Sequence, residues 1–152
     1  MAHLQQIQFE QALAPLLEGV DIILAAGSNT RLGDENDEAV AFPGHAADFA
    51  NTYPIVTAGL DGKPTLIVNT DNEYTYLGRL VVDFDSNGEI LVDLLDTSVN
   101  GAYASTVDNV AKAWGLDPET IDSIEDLETT AFAEGTKGDS VKDITDAVQN
   151  VI

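Results

Sequence analysis

Gly19-Val20-Asp21-Ile22-Ile23-Leu24-Ala25-Ala26-Gly27-Ser28-Asn29-Thr30 is the stretch on which the fold turns. From Val20 to Ala26 the residues are β-branched, aliphatic or small, and Asp21 is the only interruption. That is the pattern of a short strand buried on both faces, as in a parallel sheet covered by helices. Gly27-Ser28-Asn29-Thr30 then opens a loop at the strand's carboxyl end, where α/β sheets place ligand-binding residues. As a phosphate loop it is poor, because it lacks both the second glycine pair and the lysine. Ser28 and Asn29 still offer oxygen ligands or hydrogen-bond donors there.

Upstream, Leu4, Ile7, Phe9, Leu13, Leu16 and Leu17 recur at three- and four-residue steps, which predicts an amphipathic helix from His3 to Glu18. Pro15 should break or restart it and Gly19 should end it. Downstream, residues 33–51 are rich in Asp, Glu, Gly and Ala without a period, and read as a long surface loop. Two successive hairpins follow. The first pairs Pro54 to Gly59 with Thr65 to Thr70 around Leu60-Asp61-Gly62-Lys63, and the second pairs Leu77 to Phe84 with Glu89 to Leu95 around Asp85-Ser86-Asn87-Gly88. A polar stretch from Asp96 to Gly101 leads to a helix from Ser105 to Trp114, and Asp117-Pro118-Glu119 has the form of another helix start. The chain closes on a helix with Val141, Ile144, Val148 and Val151 on one stripe. The fold class is therefore α/β of mixed α+β character: a mixed sheet, two consecutive β-hairpins and a helical C-terminal tail.

The 152 residues are 44% hydrophobic, enough for a packed core. Charge is the unusual feature: 27 Asp and Glu against 6 Lys and Arg give a net −21. A chain so short of bases repels phosphate backbones and anionic bilayers, which argues against a nucleic acid polymer or a membrane surface as partner. Cysteine is absent, so disulfides, thiolate metal sites and cysteine nucleophiles are excluded together. The first residues lack the basic-then-apolar order of a signal peptide, and the longest apolar run is too short to span a bilayer.

Two other constellations invite a chemical reading. Asp83-Phe84-Asp85-Ser86-Asn87-Gly88-Glu89 matches the first half of a calcium loop, but the twelfth position, which needs a bidentate Glu, is Leu94. Asn-Gly between strand-like flanks makes a hairpin turn the stronger reading. The two histidines, His3 and His45, have no serine and carboxylate arranged around them as a hydrolytic triad requires. On composition alone each is surface decoration.

Taken in order, His3-Leu4, then Gly19 to Ile23 leading to Gly-Ser-Asn-Thr, then Tyr53-Pro54, Asp61-Gly62-Lys63-Pro64 and Tyr76-Leu77-Gly78-Arg79-Leu80 resemble the back half of the 5′-nucleotidase branch of the calcineurin-like metallophosphoesterases. The resemblance is nearest to bacterial secreted nucleotidases and alkaline phosphatases, so it implies a periplasmic or secreted parent. It also implies a partial metallophosphoesterase sandwich, with residues 1–95 as the carboxyl-terminal half of the catalytic domain. Residues 96–152 would then be an acidic linker and helical segment leading toward a separate nucleotidase domain.

The activity implied is hydrolysis of a phosphate ester or nucleotide with divalent metal ions (Zn, Mn, Ca or Fe) polarising the ester and activating water. By the resemblance His3 falls on the histidine of the family's fourth motif. Gly27 and Asn29 fall on the two ligand positions of the fifth, where Gly27 has no side chain and Asn29 keeps an amide oxygen. The first three motifs have no counterpart. His3 and Asn29 are thus the expected metal ligands, no catalytic residue is assigned, and substrate-binding residues are unknown. A fragment inactive in isolation is expected. The alternative is a non-catalytic acidic α/β binding module that self-associates through exposed sheet edges.

Overall fold

In the computed structural model, residues 1–70, 74–121, 126 and 132–151 are described. They form two compact units, Met1–Ala104 and Ser105–Ile152. The first begins with strand β1 (Ala2–His3), helix α1 (Ile7–Leu13) and a 3-10 turn (Ala14–Leu16), then β2 (Ile22–Ala26), β3 (Ile55–Ala58) and β4 (Pro64–Val68). A four-stranded sheet has the order β1-β2-β4-β3, in which β1, β2 and β4 run parallel and β3 is antiparallel to β4. The sheet is mixed, as the sequence predicts.

The expected helix from His3 is shorter at its start. Residues 2–3 pair with Ala25 and Ala26 as a strand, Gln5 takes a left-handed conformation at φ 71°, and α1 begins only at Ile7. Two residues of backbone pairing to β2 outweigh helical periodicity there. Pro15 acts as anticipated, converting the helix end to a 3-10 turn. Gly19 follows at φ 68°, and its amide donates to Asp61 Oδ2 at 3.2 Å.

β2 is not buried on both faces. Ile23, Ile67 and Ile55 share a register line across β2, β4 and β3, and with Ile7, Ala14, Leu32, Tyr53 and Val68 they form the core. Leu24, on the opposite face, is 51% exposed. Ile22, Ala25 and Ala26 are half-buried, so of this apolar run only Ile23 is fully buried, and the strand buried on both faces is the neighbouring β4.

The first predicted hairpin is present, with Ile55 to Ala58 facing Ile67 to Pro64. Asp61 shapes its turn, accepting from the Lys63 amide at 3.1 Å. The second is corrected. The turn exists, with Asp85 Oδ1 accepting from the Asn87 and Glu89 amides at 2.8 Å each, and the calcium-like run is this turn. Beyond a single bridge between Phe84 and Ile90, however, the ladder is absent, and residues 92–94 form a 3-10 turn. Strand β5 (Tyr76–Arg79) pairs instead with β6 (Gly101–Ala104), drawn from the stretch read as polar connector and helix approach. The buried Asn100 starts this pairing from its side chain, accepting from the Val81 amide and donating to the Val81 carbonyl.

The acidic loop is tied to the β5–β6 ribbon rather than lying free. Asp37 accepts from the amides of Asp34 and Ala102 at 3.0 and 3.1 Å. The Tyr76 hydroxyl donates to the Val40 carbonyl and accepts from the Val40 amide. Phe42 and Phe49 pack edge-on against the Tyr76 ring.

In the second unit, α2 (Val107–Ala113) is capped by Thr106, whose side chain accepts from the Asn109 amide. Gly115 follows at φ 72°. The start at Asp117-Pro118-Glu119 is a 3-10 turn, capped by the Asp117 side chain, and most of the acidic segment after it lies outside the described residues. Helix α3 (Lys137–Gln149) is the predicted closing helix, capped by Thr136. Its stripe of Val141, Ile144, Val148 and Val151 is exposed.

Candidate functional site at the strand ends

Because β1, β2 and β4 are parallel, their carboxyl ends lie along one edge of the sheet, the edge at which open α/β sheets bind ligands. The register puts His3 beside Ala26 and Leu24 beside Val68. Gly27 and Asn69, the next residues of β2 and β4, therefore continue the same edge.

His3, exposed at the end of β1, lays its imidazole directly over Gly27. A Cβ at Gly27 would overlap His3 Cδ2 and fall 2.5 Å from Nε2. Gly27 also has φ 86°, where side chains other than glycine's are strained. The glycine thus serves both the turn out of β2 and the seat of the ring.

Ser28 turns inward, only 8% exposed. Its hydroxyl accepts from Asn69 Nδ2 at 2.8 Å and donates to Thr30 Oγ1 at 3.0 Å. Asn29, next in alternation, is exposed. The chain then returns along β4's extension, through a bridge between Arg31 and Thr70 and a bond from the Leu32 amide to the Asn69 carbonyl. Side-chain and backbone bonds therefore hold the Gly-Ser-Asn-Thr loop from both sides.

Both expected ligands, His3 and Asn29, sit at this edge, one on each flank of Gly27-Ser28. His45 does not join them; it closes a tight turn with Phe42 in the acidic loop. Two residues of the edge were missed in the sequence. Asn69 follows the apolar strand β4 in Val-Asn-Thr, and a polar amide immediately after a buried run was the available signal. Arg31, one of few bases in the chain, gave a signal by rarity. It is 6% exposed, pairs with Asp48 at 3.1 Å, donates to the Val40 carbonyl and lies 5.8 Å from the centre of the Tyr76 ring. Those contacts make it a clamp between the loop and the ribbon.

The donor set can be tested against a two-metal centre. Such a centre needs several His and carboxylate ligands, with bridging charge to hold both ions. Among the described residues no group of three or more His, Asp or Glu side chains is arranged to hold a metal. The edge offers one imidazole, the amides of Asn29 and Asn69 and the hydroxyls of Ser28 and Thr30, so a two-ion centre does not fit this chain alone.

No family model matches the chain. It is 29% identical over 97 residues to a 5′-nucleotidase of Mus musculus, covering 60% of this chain and 16% of that protein. It is 27% identical over 84 residues to a 5′-nucleotidase of Homo sapiens, covering 55% and 14%. Among solved structures, a 5′-nucleotidase precursor from Thermus thermophilus superposes with a TM-score of 0.53 at 30% identity, over 67% of this chain and 18% of that one. The chain resembles the 5′-nucleotidase branch and spans about a sixth of the length of the curated relatives it matches.

Proposed function

We propose that this chain is the part of a 5′-nucleotidase-like or alkaline-phosphatase-like phosphoester hydrolase that supplies the fourth and fifth ligand motifs, and that it does not catalyse by itself. The observation that carries this reading is the meeting of His3 with the Gly27-to-Thr30 loop at the ends of two parallel strands. The similarity to nucleotidases gives that meeting a chemical context. In this reading His3 and Asn29 are metal ligands through an imidazole nitrogen and an amide oxygen. The metal, when the remaining ligands are present, would supply positive charge for a phosphate ester that the acidic chain cannot itself attract. Residues 1–95 act as the second half of the catalytic domain and residues 96–152 as the connection beyond it. A periplasmic or secreted parent follows from the same resemblance. Among the described residues no helix is long and apolar enough to cross a membrane.

The test is an assay of the purified chain with a generic phosphate monoester and with AMP, in manganese, zinc or calcium. No turnover is expected. Metal titration followed on the imidazole resonances should show weak binding at His3 that His3→Ala removes. Sustained turnover abolished by His3→Ala would overturn the incompleteness, and metal binding unaffected by that substitution would overturn the ligand assignment.

A further inference from the structure

Helix α1 carries a carboxylate where a core residue belongs. Glu10 is 1% exposed, within a helix whose other buried residue is Ile7. Its Oε1 accepts from the Leu4 amide at 3.1 Å, while Oε2 makes no hydrogen bond among the described residues. A carboxylate is disfavoured in such a place unless a hydrogen bond compensates, and Leu or Met would fill the space without that demand. The one bond it makes is therefore the feature to explain.

That bond lands between His3 and the left-handed turn at Gln5 (φ 71°). Side chains other than glycine's persist in this conformation only where their surroundings over-determine it. β1 is two residues long, so its ladder alone leaves the chain weakly held once it passes His3. The turn also bears on the site: a Cβ at Gly27 would meet the Gln5 amide nitrogen at 3.2 Å as well as the His3 ring. The imidazole and the turn are thus packed against the same glycine.

We propose that Glu10 is the positioning residue of the strand-end site: its buried carboxylate holds the Leu4 amide and so fixes the place from which His3 presents its imidazole over Gly27. The placement stands on geometry alone. Only its consequence for metal binding rests on the function proposed above.

Two variants separate this role from simple core filling. Glu10→Gln keeps an acceptor for the Leu4 amide, and Glu10→Met fills the space without one. In the wild-type chain, nuclear Overhauser contacts should join the His3 ring to the Gly27 α-protons, and the Leu4 amide should exchange slowly. Glu10→Met should lose the His3–Gly27 contact and speed Leu4 exchange by about tenfold or more, while the core contact between Ile23 and Ile67 persists. Glu10→Gln should retain both. Zinc affinity read on His3 should then fall about tenfold or more in Glu10→Met and stay near wild type in Glu10→Gln. Survival of the His3–Gly27 contact in folded Glu10→Met, or its loss in Glu10→Gln, overturns the proposal. If Glu10→Met does not fold, the wild-type Leu4 amide and Glu10→Gln decide: fast Leu4 exchange in either overturns it. Absence of zinc binding in the wild-type chain would count against the proposed function and leave the positioning role to the contact data.

Discussion

Individual side chains here carry roles that composition hides. Tyr53 is 4% exposed and its hydroxyl lies close to Gly78, where a Cβ would fall 2.9 Å from it. Burial pushes its phenol up from 10.0 to about 12, and the charge of Asp37 adds to the effect. The folded state therefore holds this proton more tightly than the unfolded chain does. The contribution is fully present below pH 10 and is lost as pH rises from there through about 12. Urea unfolding across that window should show the wild type losing up to about 2 to 3 kcal/mol that Tyr53→Phe does not lose. Parallel curves for the two proteins would refute this. Asp37 is shifted upward as well, chiefly by burial, although two backbone amides pull the other way. Its ionised form is thus tolerated at neutral pH rather than favoured, and falling pH through its raised folded value adds to stability. Asp61, Asp85 and Asp96 behave oppositely, because turn amides or the Ser98 side chain hold them below 3.8.

At the scale of elements, the decisive feature is the uneven burial of the sheet: β4 is buried on both faces, with Leu66 and Ile67 each 0% exposed, while β2 and β3 leave Leu24 and Val56 about half exposed. Ile67 is fully buried on β4 and Leu24 is half exposed on the neighbouring β2, although the two look alike in hydropathy. Ile67→Ala should cost about 2 to 5 kcal/mol, the range for emptying a packed core position. Leu24→Ala should cost about 1 kcal/mol or less, since much of its surface is already in water. Equal losses in chemical denaturation would mean that Leu24 is covered as fully as Ile67. The β5–β6 ribbon shows why the second hairpin escaped the sequence. Leu77 to Phe84 and Glu89 to Leu95 have strand composition around a strong turn, and the turn does form. Strand partners, however, are chosen by packing: Gly101 admits the Asp37 carboxylate, whose Oδ1 a Cβ there would overlap. Ala102 and Ala104 then bury against Tyr76. Local composition carries no record of those neighbours.

For the molecule as a whole, the net charge of −21 is a self-repulsion carried mainly on exposed acids. Screening should relieve it. Urea midpoints are expected to rise as salt increases from low ionic strength to about 1 M, where the Debye length falls to about 3 Å. A flat or falling salt dependence would show instead that ion pairs such as Arg31 with Asp48 outweigh the repulsion. Arg31, whose backbone bridges to Thr70 beside the sheet edge, spends its positive charge on Asp48, the Val40 carbonyl and the Tyr76 ring.

The sequence by itself determined the central strand, the first hairpin, the turn at Asp85 to Gly88, the capped α2 and the closing helix, and only its family resemblance singled out His3 and the Gly-Ser-Asn-Thr loop as the places to look. These rest on local chemistry: apolar runs, turn glycines, capping threonines and the order of short motifs along the chain. Only the tertiary structure decided that residues 2–3 form a strand rather than a helix start, that β2 shows one face to water, and that β5 pairs with residues 101–104. It alone placed Glu10, Asn69 and Arg31 around the strand ends. Each of these depends on which segment arrives from a distance to bury or bond a residue, and neither periodicity nor turn chemistry encodes that.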